Sequence, residues 1–256
     1  MLIAIPKLPG EAPGARVDHS GVSPQIEILA DDLATLMQER RALQQQVANT
    51  RREILYRLAL AAELKDGDTA DHIERIGVMA AHLARLAGLP VSFSALLRHA
   101  APMHDVGKIG IPDSILKKPG PLTEEEWVVM RTHPTVGSEI LSGSGIALLD
   151  LAAEVALTHH ERFDGGGYPR RLKGQTIPLA GRIVSIVDFF DALTMDRCYR
   201  EARPFQEVLD AIAADSGTRF DPDLVRIFLA HAADFVRLKA ASEAGDRTRA
   251  KLLTAT

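Results

Sequence analysis

The sequence predicts an all-α protein, and three observations support this fold class. Only 5% of the 256 residues are aromatic, which is few for a protein built on strands. No stretch alternates strictly between apolar and polar residues as a half-buried strand does. Alanine and leucine instead recur at helical spacing. With 46% hydrophobic residues, the chain can bury the core of one large domain or two small ones.

The first 64 residues are expected to form two segments with different structures. Residues 1–24 are interrupted repeatedly by glycine and proline, which predicts a flexible arm or linker. Residues 25–64 contain neither residue type and show the apolar seam of a coiled coil over about four heptads. The seam consists of Ile26, Leu29, Leu33, Leu36, Leu43, Val47 and Ile54. Either this long helix forms a homodimer or it packs on its own domain, and the length of the seam favours the homodimer.

A compact helical domain is predicted over residues 55–240, with a polar tail at 241–256. A capping box at 123–126 opens a short helix that stops before His133. The other helices are expected at 69–87, 94–105, 134–141, 149–161, 179–194, 204–214 and 222–238. The first of these is closed by Gly88 and Pro90, and the second is expected to kink at Pro102. The loop at 163–178 is rich in glycine and basic residues.

Charge and cysteine content exclude several classes of protein. The formal net charge of -4 provides no basic surface for DNA, although it allows a local basic pocket for a phosphate. Cys198 is the single cysteine, so no internal disulfide forms, and we expect a neutral thiol that fills space. No apolar run approaches the ~18 residues of a membrane-spanning helix. These features predict a cytoplasmic protein that binds neither DNA nor membrane.

Two pairs of adjacent residues carry candidate metal chemistry. His104 and Asp105 can both ligate one ion, or each can ligate one of two neighbouring ions. Lys108 follows them and would place a positive charge beside whatever the metals bind. His159 and His160 are expected on a helix, where neighbouring side chains diverge by ~100°. We therefore expect these two imidazoles to line a wider cleft and not to share one small coordination sphere.

The number of candidate ligands points to more than one metal ion. Asp188 lies in an apolar helix, and a buried carboxylate of this kind needs a strong partner such as a metal. The full candidate set is His72, His104, Asp105, His133, His159, His160 and Asp188. Imidazole and carboxylate ligands without thiolate favour Fe, Mn, Ni or Zn. Two such ions suit phosphoester hydrolysis, in which Lys108 would assist the leaving oxygen, and Arg197 and Arg200 would hold phosphate oxygens.

Five motifs in this order resemble those of the HD-GYP domain, a subclass of the HD metal-dependent phosphohydrolases. They are DTADH at 68–72, HDVGKIGIPD at 104–113, HP at 133–134, HHERFDGGGYP at 159–169 and IVDFFDALTMDRCYR at 186–200. The resemblance covers the region 55–235. It implies an HD-domain helical bundle with two or three divalent metals, most often Fe or Mn. It also implies hydrolysis of cyclic di-GMP to pGpG and/or GMP.

The resemblance also implies roles for individual residues. The metal ligands would be the seven candidates already named, with Asp105 and Lys108 in catalysis and Lys108 at the scissile phosphate. The substrate-binding residues would be Lys108, Gly167, Tyr168, Asp191, Arg197 and Arg200. Tyr168 would contact the nucleotide, and Asp191 its base or ribose.

Asp68 is the one departure from the motifs that affects the metal count. Trinuclear members place a glutamate four residues before the first histidine, where this chain has the shorter aspartate. Asp68 either reaches a third metal or caps the helix that begins near Thr69. A site with two metal ions is therefore the default expectation.

Two other functions are open at this stage. The chain could be a nucleotide-responsive adaptor with little turnover that signals to protein partners through the loop at 163–178. It could also be a phosphodiesterase for another cyclic dinucleotide, such as cyclic GMP-AMP.

Overall fold

A computed structural model describes residues 24–66, 70–195 and 202–243. These ranges confirm the all-α prediction, because they hold eleven α-helices, three short 3₁₀ helices and no strand. The predicted arm before Pro24 and the predicted tail after Glu243 lie outside the described residues. None of the helices in these ranges is long and apolar enough to cross a membrane.

The helices follow one another with short connections. They are α1 (Pro24–Asp66), α2 (Ala70–Leu86), α3 (Val91–Ala100), α4 (Asp113–Leu116), α5 (Glu124–Met130), α6 (His133–Leu141), α7 (Ala147–Thr158), α8 (Leu179–Leu193), α9 (Phe205–Ala214), α10 (Pro222–Ala230) and α11 (Ala232–Glu243). The 3₁₀ helices are Ala101–Met103, Val106–Gly110 and Gly174–Thr176. The capping box predicted from the sequence is present at the start of α5.

Three predicted helices differ from the observed helices by more than one residue at an end or by being divided in two. The helix expected at 94–105 begins at Val91 and gives way to a 3₁₀ turn that contains Pro102, because proline lacks the N–H group that an α-helix needs. The helix expected at 149–161 ends at Thr158. The helix expected at 222–238 consists of two helices with His231 between them.

The described residues fall into two compact units, divided between Thr50 and Arg51. In the first unit, α1 is a helix whose side chains from 25 to 50 are all exposed. Its apolar seam is exposed as well, and Leu29 and Leu43 have 67% and 62% of their surface accessible. An exposed apolar seam of this length is typical of a helix that binds another helix.

The second unit has two apolar clusters. The larger joins α2, α3 and α8 to α9, α10 and α11, with Phe190, Phe228 and Phe235 fully buried in it. The smaller one contains Ala59 and Ala62 from the C-terminal part of α1. Met103 belongs to this smaller cluster too, so the end of α1 lies beside the residues that precede His104. This packing positions the candidate site.

Candidate metal centre

Four candidate ligands converge from three segments of the second unit. Asp105 lies between two 3₁₀ helices, His133 is the first residue of α6, and His159 and His160 directly follow α7. Their ligand atoms all lie within 4.8 Å of one another. We refer to these four residues as the tetrad.

The adjacent histidines share the tetrad, which corrects the expectation that they diverge. Since α7 ends at Thr158, His160 is not turned away by the helical rotation that the sequence analysis assumed. The ring centroids of His159 and His160 are 4.0 Å apart. Burial, together with the charges of His159 and His133, lowers the pKa of His160 well below its ordinary value. His160 is therefore a neutral imidazole, the form that binds metals.

A second group of potential ligands lies next to the tetrad. It comprises Glu63 near the end of α1, His72 in α2 and His104, whose ligand atoms are also within 4.8 Å of one another. We refer to these three residues as the triad. Asp188 of α8 faces the same space, with Oδ1 3.9 Å from His72 Nε2 and 3.7 Å from His104 Nε2.

Asp105 contacts both groups. Its Oδ2 lies 3.3 Å from His104 Nε2 of the triad, and its Oδ1 lies 3.2 Å from His133 Nε2 and 3.5 Å from His159 Nε2 of the tetrad. Burial raises the pKa of Asp105, but Lys108 and His104 outweigh burial and hold that pKa well below its ordinary value. Asp105 is thus an ionised carboxylate in position to bridge two ions.

The imidazole rings are oriented through their Nδ1 atoms. The Nδ1 contacts are His104 to the Ala101 carbonyl at 3.1 Å, His133 to the Met130 carbonyl at 2.8 Å, His159 to the Ala156 carbonyl at 3.0 Å, and His72 to Asp191 Oδ2 at 2.7 Å. A carbonyl or carboxylate only accepts, so each Nδ1 must donate, and in the neutral ring that binds a metal the lone pair is on Nε2. The four Nε2 atoms are therefore available as metal ligands.

Buried atoms without partners show that the two groups fit divalent metals. Among the described residues, five buried side-chain atoms of these groups have no hydrogen-bond partner: Glu63 Oε2, His104 Nε2, Asp105 Oδ1, His133 Nε2 and His159 Nε2. Each unsatisfied buried polar group costs about 1–3 kcal/mol. Bound metal ions would satisfy all of these atoms. The set of imidazoles and carboxylates suits first-row ions such as Fe, Mn or Zn.

Asp191 orients the candidate ligand His72 and is buried, which differs from its expected role at the base or ribose of the nucleotide. The residue is fully buried. Its Oδ1 accepts a hydrogen bond from Arg75 Nε at 2.6 Å, and its Oδ2 contacts His72. Although burial raises its pKa, the hydrogen bonds from His72 and Arg75 lower the pKa of Asp191 to about 2. A permanent carboxylate of this kind fixes the tautomer of His72.

Lys108 and Lys65 link the metal centre to the end of α1. The Nζ of Lys108 lies 2.8 Å from Asp105 Oδ2. Lys65 Nζ donates hydrogen bonds to the carbonyls of Ile109 and Ile111, at 2.7 and 2.6 Å. Through these bonds, α1 holds the 3₁₀ helix that carries Lys108.

A cavity of about 790 Å³ opens at the tetrad. His159 and His160 form part of its wall. Aromatic and basic side chains form another part, namely Trp127, Arg131, Tyr168 and Arg219. The guanidinium of Arg131 lies 5.6 Å from the Trp127 ring centre and 5.8 Å from that of Tyr168, and the Tyr168 ring stacks on His160 at 4.8 Å. Cation–π contacts of this kind hold the rings in place.

Glu161 holds the loop that carries Tyr168. The Oε1 atom of Glu161 accepts a hydrogen bond from the Arg170 N–H at 2.7 Å, and its Oε2 atom accepts one from the Leu172 N–H at 3.0 Å. Gly167 lines the cavity, and a Cβ atom there would lie 2.3 Å from the backbone nitrogen of Arg162. Only glycine therefore fits at this position.

The remaining expected site residues are Asp68, Arg197 and Arg200, and all three lie outside the described residues, as does Cys198.

Three residues at the site were not predicted from the sequence: Glu63, Arg75 and Arg131. For Glu63 a signal existed, because it is an acid inside the apolar run at 58–64. For Arg75 and Arg131 the sequence offers no comparable signal, since exposed arginines are common on helices.

The fold and the two ligand groups define a class of protein. Its members are all-α proteins in which histidines and acidic residues lie together as ligands for metal ions. A family model described as HD domain matches residues 25–224. The chain belongs to the HD domain family, which is the superfamily that the HD-GYP resemblance implies.

Curated relatives include enzymes named for two cyclic dinucleotides. A cyclic di-GMP phosphodiesterase of Thermotoga maritima is 46% identical over 177 residues, which cover 69% of this chain and 48% of that protein. The cyclic di-GMP phosphodiesterase response regulator RpfG of Xanthomonas campestris is 44% identical, covering 80% and 54%. The 3'3'-cGAMP-specific phosphodiesterase 2 of Vibrio cholerae is 42% identical, covering 75% and 37%. The chain thus spans about half or less of the length of these relatives.

A solved structure has the same fold. The crystal structure of a cyclic GMP-AMP-specific phosphodiesterase of Vibrio cholerae aligns with a TM-score of 0.57 at 20% identity, covering 79% of this chain and 53% of that one.

Proposed function

We propose that this protein is a metal-dependent phosphodiesterase that hydrolyses cyclic di-GMP to pGpG and/or GMP. One observation carries the proposal: Asp105 joins two groups of metal ligands, and one of these groups forms the wall of a cavity lined by arginines and aromatic rings. The names of the relatives support the same reaction class.

Two divalent ions, Fe or Mn, would be held by the tetrad and the triad. When bound, they would supply the charge that activates an attacking water and stabilises the developing charge on phosphorus. Asp105 would hold the two ion sites at a fixed separation, because its two oxygens point to different groups. Lys108 keeps a positive charge beside Asp105, where we place the scissile phosphate.

The cavity wall suits a nucleotide with flat bases and two phosphates. Trp127 and Tyr168 offer ring faces for stacking, and Arg131 between them offers a cation. Arg219 lies at 4.4 Å over the Phe189 ring, which orients its guanidinium. Guanidinium groups bind phosphate oxygens in a bidentate manner.

The main alternative substrate is cyclic GMP-AMP, because relatives named for each of the two dinucleotides have similar identity to this chain. The test is anaerobic purification of the chain, metal analysis, and turnover of both dinucleotides with added Mn(II) or Fe(II), followed by chromatography. We expect faster turnover of cyclic di-GMP. Faster turnover of cyclic GMP-AMP would overturn the substrate assignment.

Two variants make this assay decisive. Asp105→Ala should lower turnover on the order of 10³-fold, whereas substitution of the exposed His231 (45% of its side chain accessible) in His231→Gln should leave turnover unchanged. Bound metal with no turnover of either dinucleotide would contradict the enzyme and favour an adaptor that signals through the loop at 163–178.

We also propose that the seam of α1 forms a homodimer. In a full-length chain, Leu36→Glu places a charge on the seam and should convert the dimer to a monomer in light scattering. Gln38→Glu adds the same charge off the seam and should leave the mass unchanged. A monomeric wild-type chain would contradict this proposal.

A further inference from the structure

Glu63 is a buried acid for which the expected chemistry has no role. Only 2% of its surface is accessible, and its Oε2 has no hydrogen-bond partner among the described residues. The turn before it buries Ala59 and Ala62 in an apolar cluster. An ionised carboxylate in such surroundings is unfavourable without a strong partner.

The residues around Glu63 indicate that this partner is a divalent metal ion. Nδ1 of His72 is engaged by Asp191, and Nδ1 of His104 is engaged by the Ala101 carbonyl. Both rings therefore present Nε2, and these atoms and the Glu63 carboxylate lie within 4.8 Å of one another. Two imidazoles and one carboxylate, with Asp188 facing the same space, make a ligand set for a divalent ion.

We propose that Glu63 is a direct ligand of the divalent ion that His72 and His104 hold. The carboxylate comes from α1, nine residues before His72. The tetrad would hold its own ion without any residue of α1. The triad ion would therefore bind only when the end of α1 is in place, which makes this helix part of the metal centre.

This inference rests on the proposed metal centre and is independent of the choice of cyclic dinucleotide. Its test measures metal and does not depend on turnover. Full-length protein is stripped with a chelator, loaded anaerobically with Mn(II) and dialysed, and its metal content per chain is determined by mass spectrometry. The affinity of each ion is measured by titration with detection of free Mn(II) by electron paramagnetic resonance.

We expect Glu63→Gln to lose one ion per chain relative to the wild type, with at least about tenfold weaker binding of that ion. Glutamine has almost the same volume but no charge, so packing is largely retained. Glu63→Asp keeps the carboxylate on a shorter side chain and should weaken the same ion less. Glu53→Gln, ten positions earlier on α1 in an exposed pair with Arg57 at 2.8 Å, should bind both ions as the wild type does.

Circular dichroism and the melting temperature of the metal-free variants show whether each one folds. If Glu63→Gln folds and binds the same number of ions with the same affinity as the wild type, the inference is wrong and Glu63 is a protonated, neutral acid. If Glu63→Gln does not fold, Glu63→Asp decides: wild-type affinity for both ions in that variant would also show that the inference is wrong. Loss of one ion supports the inference even when neither dinucleotide is hydrolysed.

Discussion

The tetrad and the triad are built from similar residues but are positioned in different ways. In the tetrad, His133 and His159 are oriented by main-chain carbonyls of neighbouring helical turns. In the triad, His104 is also oriented by a main-chain carbonyl, but His72 is oriented by the side chain of Asp191, and Glu63 comes from α1, the helix before that of His72. The imidazoles of His133 and His159 are therefore oriented by local backbone geometry, whereas the triad depends in addition on a side-chain contact from α8 and on the packing of α1.

This difference has a consequence for substitutions. A main-chain carbonyl is present whatever residue carries it, so the orientation of the tetrad imidazoles survives changes in the neighbouring side chains. A carboxylate that orients a ligand is lost with a single substitution. The triad should thus be the more easily damaged of the two groups, and damage there should come from residues that are not themselves ligands.

The largest effect is expected for the residue that the two groups share. Asp105→Ala removes both oxygens that face the tetrad and the triad, and should lower kcat on the order of 10³-fold. Metal content should fall for both ions. If one ion remained at full affinity, the two groups would be independent and Asp105 would not bridge them.

A smaller effect, confined to the triad, is expected for Asp191→Asn. The amide leaves His72 without its carboxylate partner and should weaken the triad ion by about 10–100-fold. Titration with Mn(II) resolves the two ions. The matched control is Met130→Leu, which keeps the carbonyl that His133 contacts and should leave both affinities unchanged. Equal weakening of both ions by Asp191→Asn would remove the distinction between the groups.

The smallest effect is expected for Lys65→Met, which tests whether the end of α1 supports the triad. The variant loses the hydrogen bonds to the Ile109 and Ile111 carbonyls. Hydrogen bonds of this kind contribute about 1–3 kcal/mol, so we expect a lower melting temperature and a few-fold weaker triad ion. Lys118→Met removes an ion pair with Glu126 elsewhere and should leave the metal affinities unchanged. An unaltered triad ion in Lys65→Met would show that α1 holds Glu63 without this anchor.

Much of the fold follows from local sequence signals. The proline- and glycine-free stretch predicts α1, and the box at Thr123 and Glu126 predicts the start of α5, because each signal acts within one or two turns. The errors fall at helix ends. The sequence analysis extended α7 to residue 161, and on that basis it separated two histidines that the structure brings together.

The sequence by itself determined the all-α fold class and six histidine and aspartate residues that the structure gathers into the tetrad and the triad: His72, His104, Asp105, His133, His159 and His160. These residues stand in local motifs, whose residue types and order need no tertiary structure to be read. Only the tertiary structure decided that Glu63 lies beside His72 and that Asp191 contacts that ring. Contacts between helices depend on where each helix ends and on which faces pack together, and neither is contained in the spacing of one segment.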